Sequence, residues 1–225
     1  MGKYTFPCIT LAIMFIALIV SVIDIKDTMT TWILECFAVI IALIILPLTM
    51  KRFRLTNLLY VIILIHALIL VYGGHYSYSE VPLGFWMSKL FGWKRNNYDK
   101  IGHFWQGVCP TMIAREIVAR RTPLKKGKYL AFLSWCVAMT VSALYEIGEM
   151  IASVSLHGAA TAFLGLQGSV WDTQLDMLYC LIGATVALIL FTHLHNKQIA
   201  EVEKEDEETV KEETEYEEGS PEAQV

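Results

Sequence analysis

TWILECFAVIIALIILPLTM, Thr31 to Met50, carries a single charged side chain, Glu35, in twenty residues. At 1.5 Å per residue a helix of that length covers about 30 Å, the thickness of the hydrocarbon core of a bilayer. Working outward, further apolar segments lie at about 5–23, 55–74, 101–118, 129–153 and 173–194. All read as helices, because an isolated strand in lipid leaves its backbone amides and carbonyls unpaired. The expected fold is therefore all-α: a polytopic bundle of six transmembrane helices over residues 1–196. The segment 101–118 spans with the least margin. The run from Phe6 to Ile23 follows Lys3 in the manner of a signal peptide, but Asp24, Lys26 and Asp27 follow it and no small-x-small cleavage site does. It reads as the first span.

Composition agrees with a membrane body. The 225 residues are 55% hydrophobic and 18% charged, against about 45–50% and 25% in a soluble domain. The net charge of −4 averages two unlike regions. Glu201 to Val225 holds twelve acids and two bases, Lys204 and Lys211, leaving sixteen bases and ten acids before it. Residues 197–225 are expected to form a solvated, disordered acidic tail, since so little apolar content cannot offset the entropy of ordering. Cys8, Cys36, Cys109, Cys136 and Cys180 all stand in apolar stretches without C-x-x-C spacing and read as small buried hydrophobes. No nucleic-acid partner is expected; the bilayer is the expected surroundings.

Loop charges set the orientation. Lys51, Arg52 and Arg54, then Arg120, Arg121, Lys125, Lys126 and Lys128, fall on the side of the N-terminus. The positive-inside bias makes this a cell-membrane protein with both termini cytoplasmic. The connection from Tyr76 to Tyr98, with Leu83, Phe85, Trp86, Leu90, Phe91 and Trp93 among Lys89, Lys94 and Arg95, reads as interfacial: a short helix lying on the membrane or a cover over a site.

Ionisable groups inside spans cost about 2.5–3.5 kcal/mol each at the bilayer centre, so each calls for a reason. Asp99, His103 and Gln106 share a helix face at i, i+4 and i+7; Glu146 and Glu149 are neighbours at i, i+3; Asp172 and Asp176 stand at i, i+4; His75 follows Gly73 and Gly74. Six serpentine spans put His75, Asp99, His103, Glu146, Glu149, Asp172 and Asp176 at one membrane face, with Gln106 and Gln167 as supporting groups. Of the ten acids before the tail, only Glu116 falls at the other. Carboxylates and imidazoles converging from several helices fit a divalent-metal or proton site. Taken singly, Asp99 and Asp172 also fit the bland role of acids at helix N-termini. His66 reads as a packing histidine, and His157, His193 and His195 as solvent or interface residues. Gly107, Gly148 and Gly183 read as close-packing positions.

GGHYSYSEVPLGFWMSKLFGWKRNNYDKIGHFWQG (Gly73–Gly107), YEIGEM (Tyr145–Met150) and LQGSVWDTQLDML (Leu166–Leu178) closely resemble the YjdF-like bacterial inner-membrane proteins, a family of unknown function. The resemblance covers roughly residues 55–195, and the family pattern carries an acid where this chain has Ser169. The Asp-Lys-x-x-His spacing, a later glutamate and paired acids opening the last helix are similar, more loosely, to the VanZ-like membrane proteins. Neither resemblance implies a reaction. The expectation is a membrane protein with a divalent-cation site at the extracytoplasmic face, acting on a small or lipid-linked substrate. A proton- or cation-coupled transporter and a non-catalytic assembly protein are the alternatives. No internal repeat or paired interrupted span speaks for transport.

Overall fold

The computed structural model describes residues 2–155 and 171–219. Its elements are α1 (Thr5–Val22), α2 (Met29–Thr49), α3 (Asn57–Tyr76), a 3₁₀ turn (Tyr78–Glu80), α4 (Pro82–Phe91), α5 (Tyr98–Arg121), α6 (Lys128–Ser155) and α7 (Asp172–Gly219), with no strand among the described residues. Five of the helices, α1, α2, α3, α6 and α7, are long and apolar enough to cross a membrane. Their outward faces bear residues such as Phe15, Ile16, Ile44, Leu144 and Ile189, all exposed, as expected where the solvent is lipid.

The expected fourth span corresponds to α5, which is a helix but is not among those apolar enough to cross a membrane. Its 24 residues include Asp99, Lys100, His103, Gln106, Arg115 and Glu116. The structure accommodates them by putting α5 at the centre of the bundle, packed on α3, α6 and α7. Most of those polar side chains point inward, and Lys100, His103, Gln106, Arg115 and Glu116 are all buried. Lipid offers no hydrophobic drive between helices, so small residues at the contact must let the backbones approach. Gly107 of α5 and Gly183 of α7 do this: a methyl group on Gly107 would overlap the Cys180 carbonyl, and one on Gly183 the Phe104 carbonyl. Gly148, expected to act in the same way, has nothing near it and is no packing position.

The two ends of the bundle are built differently. Thr28 and Thr56 cap α2 and α3 by accepting the Thr31 and Leu59 amides. At the start of α3 the Thr56 amide and hydroxyl donate to the Glu116 carboxylate at 3.0 and 2.8 Å, and the Leu58 amide donates to Gln198 Oε1 at 2.8 Å. A helix N-terminus is thus closed by an acid from α5 and an amide from α7, which suits its partial positive charge. His195 bonds Glu116 at 2.8 Å, and Arg120 bonds it at 2.7 Å. Instead of lying at solvent or an interface as expected, His195 is fully buried, because its ring closes this network.

The acidic tail departs most from expectation. α7 continues unbroken to Gly219 instead of dissolving after residue 196. Low apolar content is offset here by charge: Glu205 pairs with Arg54, Asp206 with Arg120 at 2.9 Å and Glu203 with Lys126 at 3.4 Å, while Ile199 and Val202 are buried beneath. Of the cysteines, Cys36, Cys109 and Cys180 are buried, Cys136 is half-buried and Cys8 is exposed.

Candidate functional site

The end opposite the acidic tail holds a polar centre made by α5, α6 and α7. The first turn of α5 contributes Asp99 and Lys100, and the first turn and a half of α7 contributes Asp172 and Asp176. Lys100 Nζ donates to Asp99 at 3.0 Å and to Asp172 and Asp176 at 2.7 Å each. Three carboxylates that would otherwise repel are therefore drawn around one internal ammonium. Arg95, just before α5, also donates to Asp172, and Asp99 lies farther off at 4.0 Å. Burial works against the Arg95 charge, but Asp172, Asp99 and Asp176 around it hold its pKa above the ordinary arginine value.

One turn deeper, the His103 ring is buried between three helices. Its Nδ1 lies 3.0 Å from Gln106 Oε1, 3.8 Å from Glu146 Oε1 on α6, and its Nε2 lies 3.4 Å from Asp176 Oδ1 on α7. With Nδ1–H donating to the Gln106 carbonyl, Nε2 turns a lone pair toward a carboxylate oxygen. Two acceptors face each other there, and only a proton or a cation between them makes the contact attractive. Glu146 Oε1 is buried with no hydrogen-bond partner. One ligand atom from each of His103, Glu146 and Asp176 lies within 4.8 Å of the others, as does one from each of Asp99, Asp172 and Asp176. The second set encloses the Lys100 ammonium; the first touches that ammonium only through the shared Asp176 Oδ1 and holds no cation of its own among the described residues.

Of the residues singled out from the sequence, Asp99, His103, Gln106, Glu146, Asp172 and Asp176 come together. Glu149 stands beside them on the wall of a cavity. His75 reaches the same end but turns away: its Nδ1 meets the Ser21 carbonyl at 3.1 Å, tying α3 to α1. Gln167 and His157 lie outside the described residues. Sequence reasoning passed over Lys100, whose place directly after Asp99 in Asp-Lys-x-x-His was the available signal. It also passed over Glu35, the lone acid of α2, which is 4% exposed and accepts from the Tyr78 amide at 3.3 Å and the Ser77 hydroxyl at 3.4 Å.

The cavity is about 620 Å³ and runs from Asp172, Asp176 and Tyr78 down between α2 and α6 to Phe53 and Arg121. The 3₁₀ turn closes its polar end on one side. Tyr78 inserts beside Gly73 and Gly102, where a methyl group would come within 2.5 and 3.1 Å of its ring. Burial, and then Tyr145 and Glu35 nearby, push the Tyr78 phenol well above its usual pKa, so it stays neutral. The connection expected to be interfacial contains α4, a helix of ten residues that leaves Phe85, Trp86, Leu90 and Phe91 exposed. Asn96 holds the following loop against it by donating to the Val81 carbonyl at 2.9 Å.

Residues 6–197 match the family model described as "Predicted membrane protein (DUF2238)". The chain is 44% identical over 169 residues to the "Inner membrane protein YjdF" of Escherichia coli (strain K12), covering 75% of this chain and 81% of that protein. No solved structure matches. The polar centre and the cavity fall within the matched span, and the chain belongs to the DUF2238 family of predicted membrane proteins.

Proposed function

We propose that this multi-pass membrane protein binds a divalent cation at His103, Glu146 and Asp176 on its extracytoplasmic face and acts there on a small or lipid-linked substrate. The observation that carries the reading is the facing pair of acceptors, His103 Nε2 and Asp176 Oδ1 at 3.4 Å, beside a buried, unpartnered Glu146 oxygen. A mixed imidazole and carboxylate set suits Zn²⁺, Mn²⁺ or Fe²⁺ better than a thiolate-preferring ion. Such an ion would supply Lewis acidity or an activated water at that point. Glu149, on the cavity wall and without an ion-pair partner among the described residues, is placed to take up a proton nearby. Gln106 orients the imidazole, and Lys100 donates to the neighbouring aspartates.

The topology in this reading has six crossings, α5 being the polar one, with both termini cytoplasmic. Support comes from the basic residues collected at the tail end: Lys51, Arg52, Arg54, Arg120, Arg121, Lys125 and Lys126. Metal analysis of the purified full chain tests the site. The wild type should retain close to one equivalent of a transition metal, and Glu146→Gln and Asp176→Asn should lose it. The exposed Glu208→Gln at the other end should keep it. A metal-free wild type whose melting temperature is unmoved by Mn²⁺, Zn²⁺, Mg²⁺ or Ca²⁺ would sink the reading and leave a proton relay as the better account of the same residues.

A further inference from the structure

The cavity between α2 and α6 has an apolar body and a polar head, and the two are separable along its length. Glu35 lies six residues into α2 and His103 five residues into α5, so both sit about 8–9 Å below that end of their helices. Beyond Glu35 the wall is Ala38, Ile41, Ala42, Ile45 and Thr49 on α2, faced by Ile113 and Ile117 of α5 and Val141 of α6. Ala38 to Thr49 spans roughly 16 Å, about half the hydrocarbon thickness of a bilayer. Both lips of the cleft are half open: Phe37, Ile41, Ile45, Ile117 and Val141 are 37–50% exposed. α2 packs on α1 and α3, and α6 on α5 and α7; across the gap between α2 and α6, Phe37 stacks on Tyr145 with ring centroids 6.1 Å apart.

Two polar atoms on this wall have no partner. Glu35 Oε2 is one, on a side chain only 4% exposed, and His66 Nε2, midway down α3, is the other. Glu35 makes no ion pair among the described residues, and neither does Glu149 on the opposite side. Asp99, Asp172 and Asp176 in the same rim are already matched by Lys100 and Arg95. A buried carboxyl oxygen in that position calls for a donor, and an ammonium is the donor that would also hold the group as a carboxylate.

We propose that the cleft is a binding site for a membrane lipid with an ammonium-bearing head group, the ammonium donating to Glu35 and an acyl chain lying along Ala38, Ala42 and Ile45. The lipid enters sideways from the leaflet at the polar end, its chain reaching the level of Phe53 and its head lying beside His103. The site does not depend on the cation reading, since Glu35 is not one of the three residues assigned to the metal.

Native mass spectrometry of the full chain, exchanged into an equimolar mixture of 1-palmitoyl-2-oleoyl phosphatidylethanolamine and phosphatidylglycerol, tests the assignment. One charge-assisted hydrogen bond discriminates by about tenfold at 1.4 kcal/mol per decade. The wild type should therefore retain the ethanolamine lipid over the glycerol lipid by about that factor. Glu35→Gln, nearly the same shape, should bring the ratio near one while leaving Mn²⁺ binding unchanged. Ile41→Trp, at a half-exposed lip, should reduce both adducts several-fold with the melting temperature preserved. Equal retention of the two lipids by the wild type, or an unaltered ratio in Glu35→Gln, overturns the proposal. A wild type that binds no Mn²⁺ yet retains the tenfold lipid preference would instead count against the cation site alone.

Discussion

Replacing Lys100 by methionine isolates what the internal ammonium does at the polar centre. The side chain keeps its length and apolar stem, but Asp99, Asp172 and Asp176 lose a donor that stands 2.7–3.0 Å from each. Removing one partner from a buried ion cluster costs about 3–5 kcal/mol, because the remaining charges are left without compensation. In a chain of this size that corresponds to a fall of roughly 6–20 °C in melting temperature. Thermal unfolding in detergent, followed by intrinsic tryptophan fluorescence, reads the change. The decisive arm is the double variant Lys100→Met/Asp176→Asn. Taking away one of three mutually repelling carboxylates should restore about 1 kcal/mol or more of what Lys100→Met lost, whereas Asp176→Asn in the wild-type background should destabilise. If Lys100→Met melts within about 2 °C of wild type, or the second substitution adds its full cost, the ammonium is not the organising charge and the reasoning fails.

Other outcomes follow from the rest of the structure. Glu116→Gln should cost about 3 kcal/mol by thermal melt, since its amide would turn donors toward Arg120, His195 or the Thr56 amide; an unchanged melt would mean the network is idle. Gly107→Val should abolish folded yield by size-exclusion chromatography by forcing α5 from α7, while Gly148→Ala should be neutral or stabilise by up to about 1 kcal/mol. Truncation after Lys211 should leave stability unchanged, whereas truncation after Ala200 should lower it by about 1–2 kcal/mol at low salt and less at high salt. Equal melts for the two truncations would show that the helical extension does not dock.

What could be read in advance was fixed by hydropathy and by order along the chain. Apolar runs located α1, α2, α3 and α6, and the start of α7, to within a few residues, and alternation of ends put Asp99, Glu146 and Asp172 at one face. Order along the chain gives depth but not angle, and each residue turns a helix by about 100°. That is why His75 was expected in the cluster yet faces Ser21, and why Lys100 was passed over between two acids it joins. Angle also separates Gly107 and Gly183, at the α5–α7 contact, from Gly148, which meets nothing. The tail was misread for a different reason. Its composition forbids an isolated fold, but Arg54 precedes α3, Arg120 lies in the last turn of α5 and Lys126 follows that helix, and only the folded bundle brings them to Glu205, Asp206 and Glu203. The Glu116 network has the same origin, being assembled from α3, α5 and α7 at once.

The central claim, a cation held by His103, Glu146 and Asp176, is tested most directly by titrating the metal-free full chain with Mn²⁺ and following the free-ion signal by electron paramagnetic resonance. The free signal should stay suppressed until one equivalent has been added, and the bound spectrum should show nitrogen coupling from a single imidazole that disappears in His103→Gln. A free-ion signal that rises in proportion from the first addition, or a bound ion without nitrogen coupling, would contradict the account.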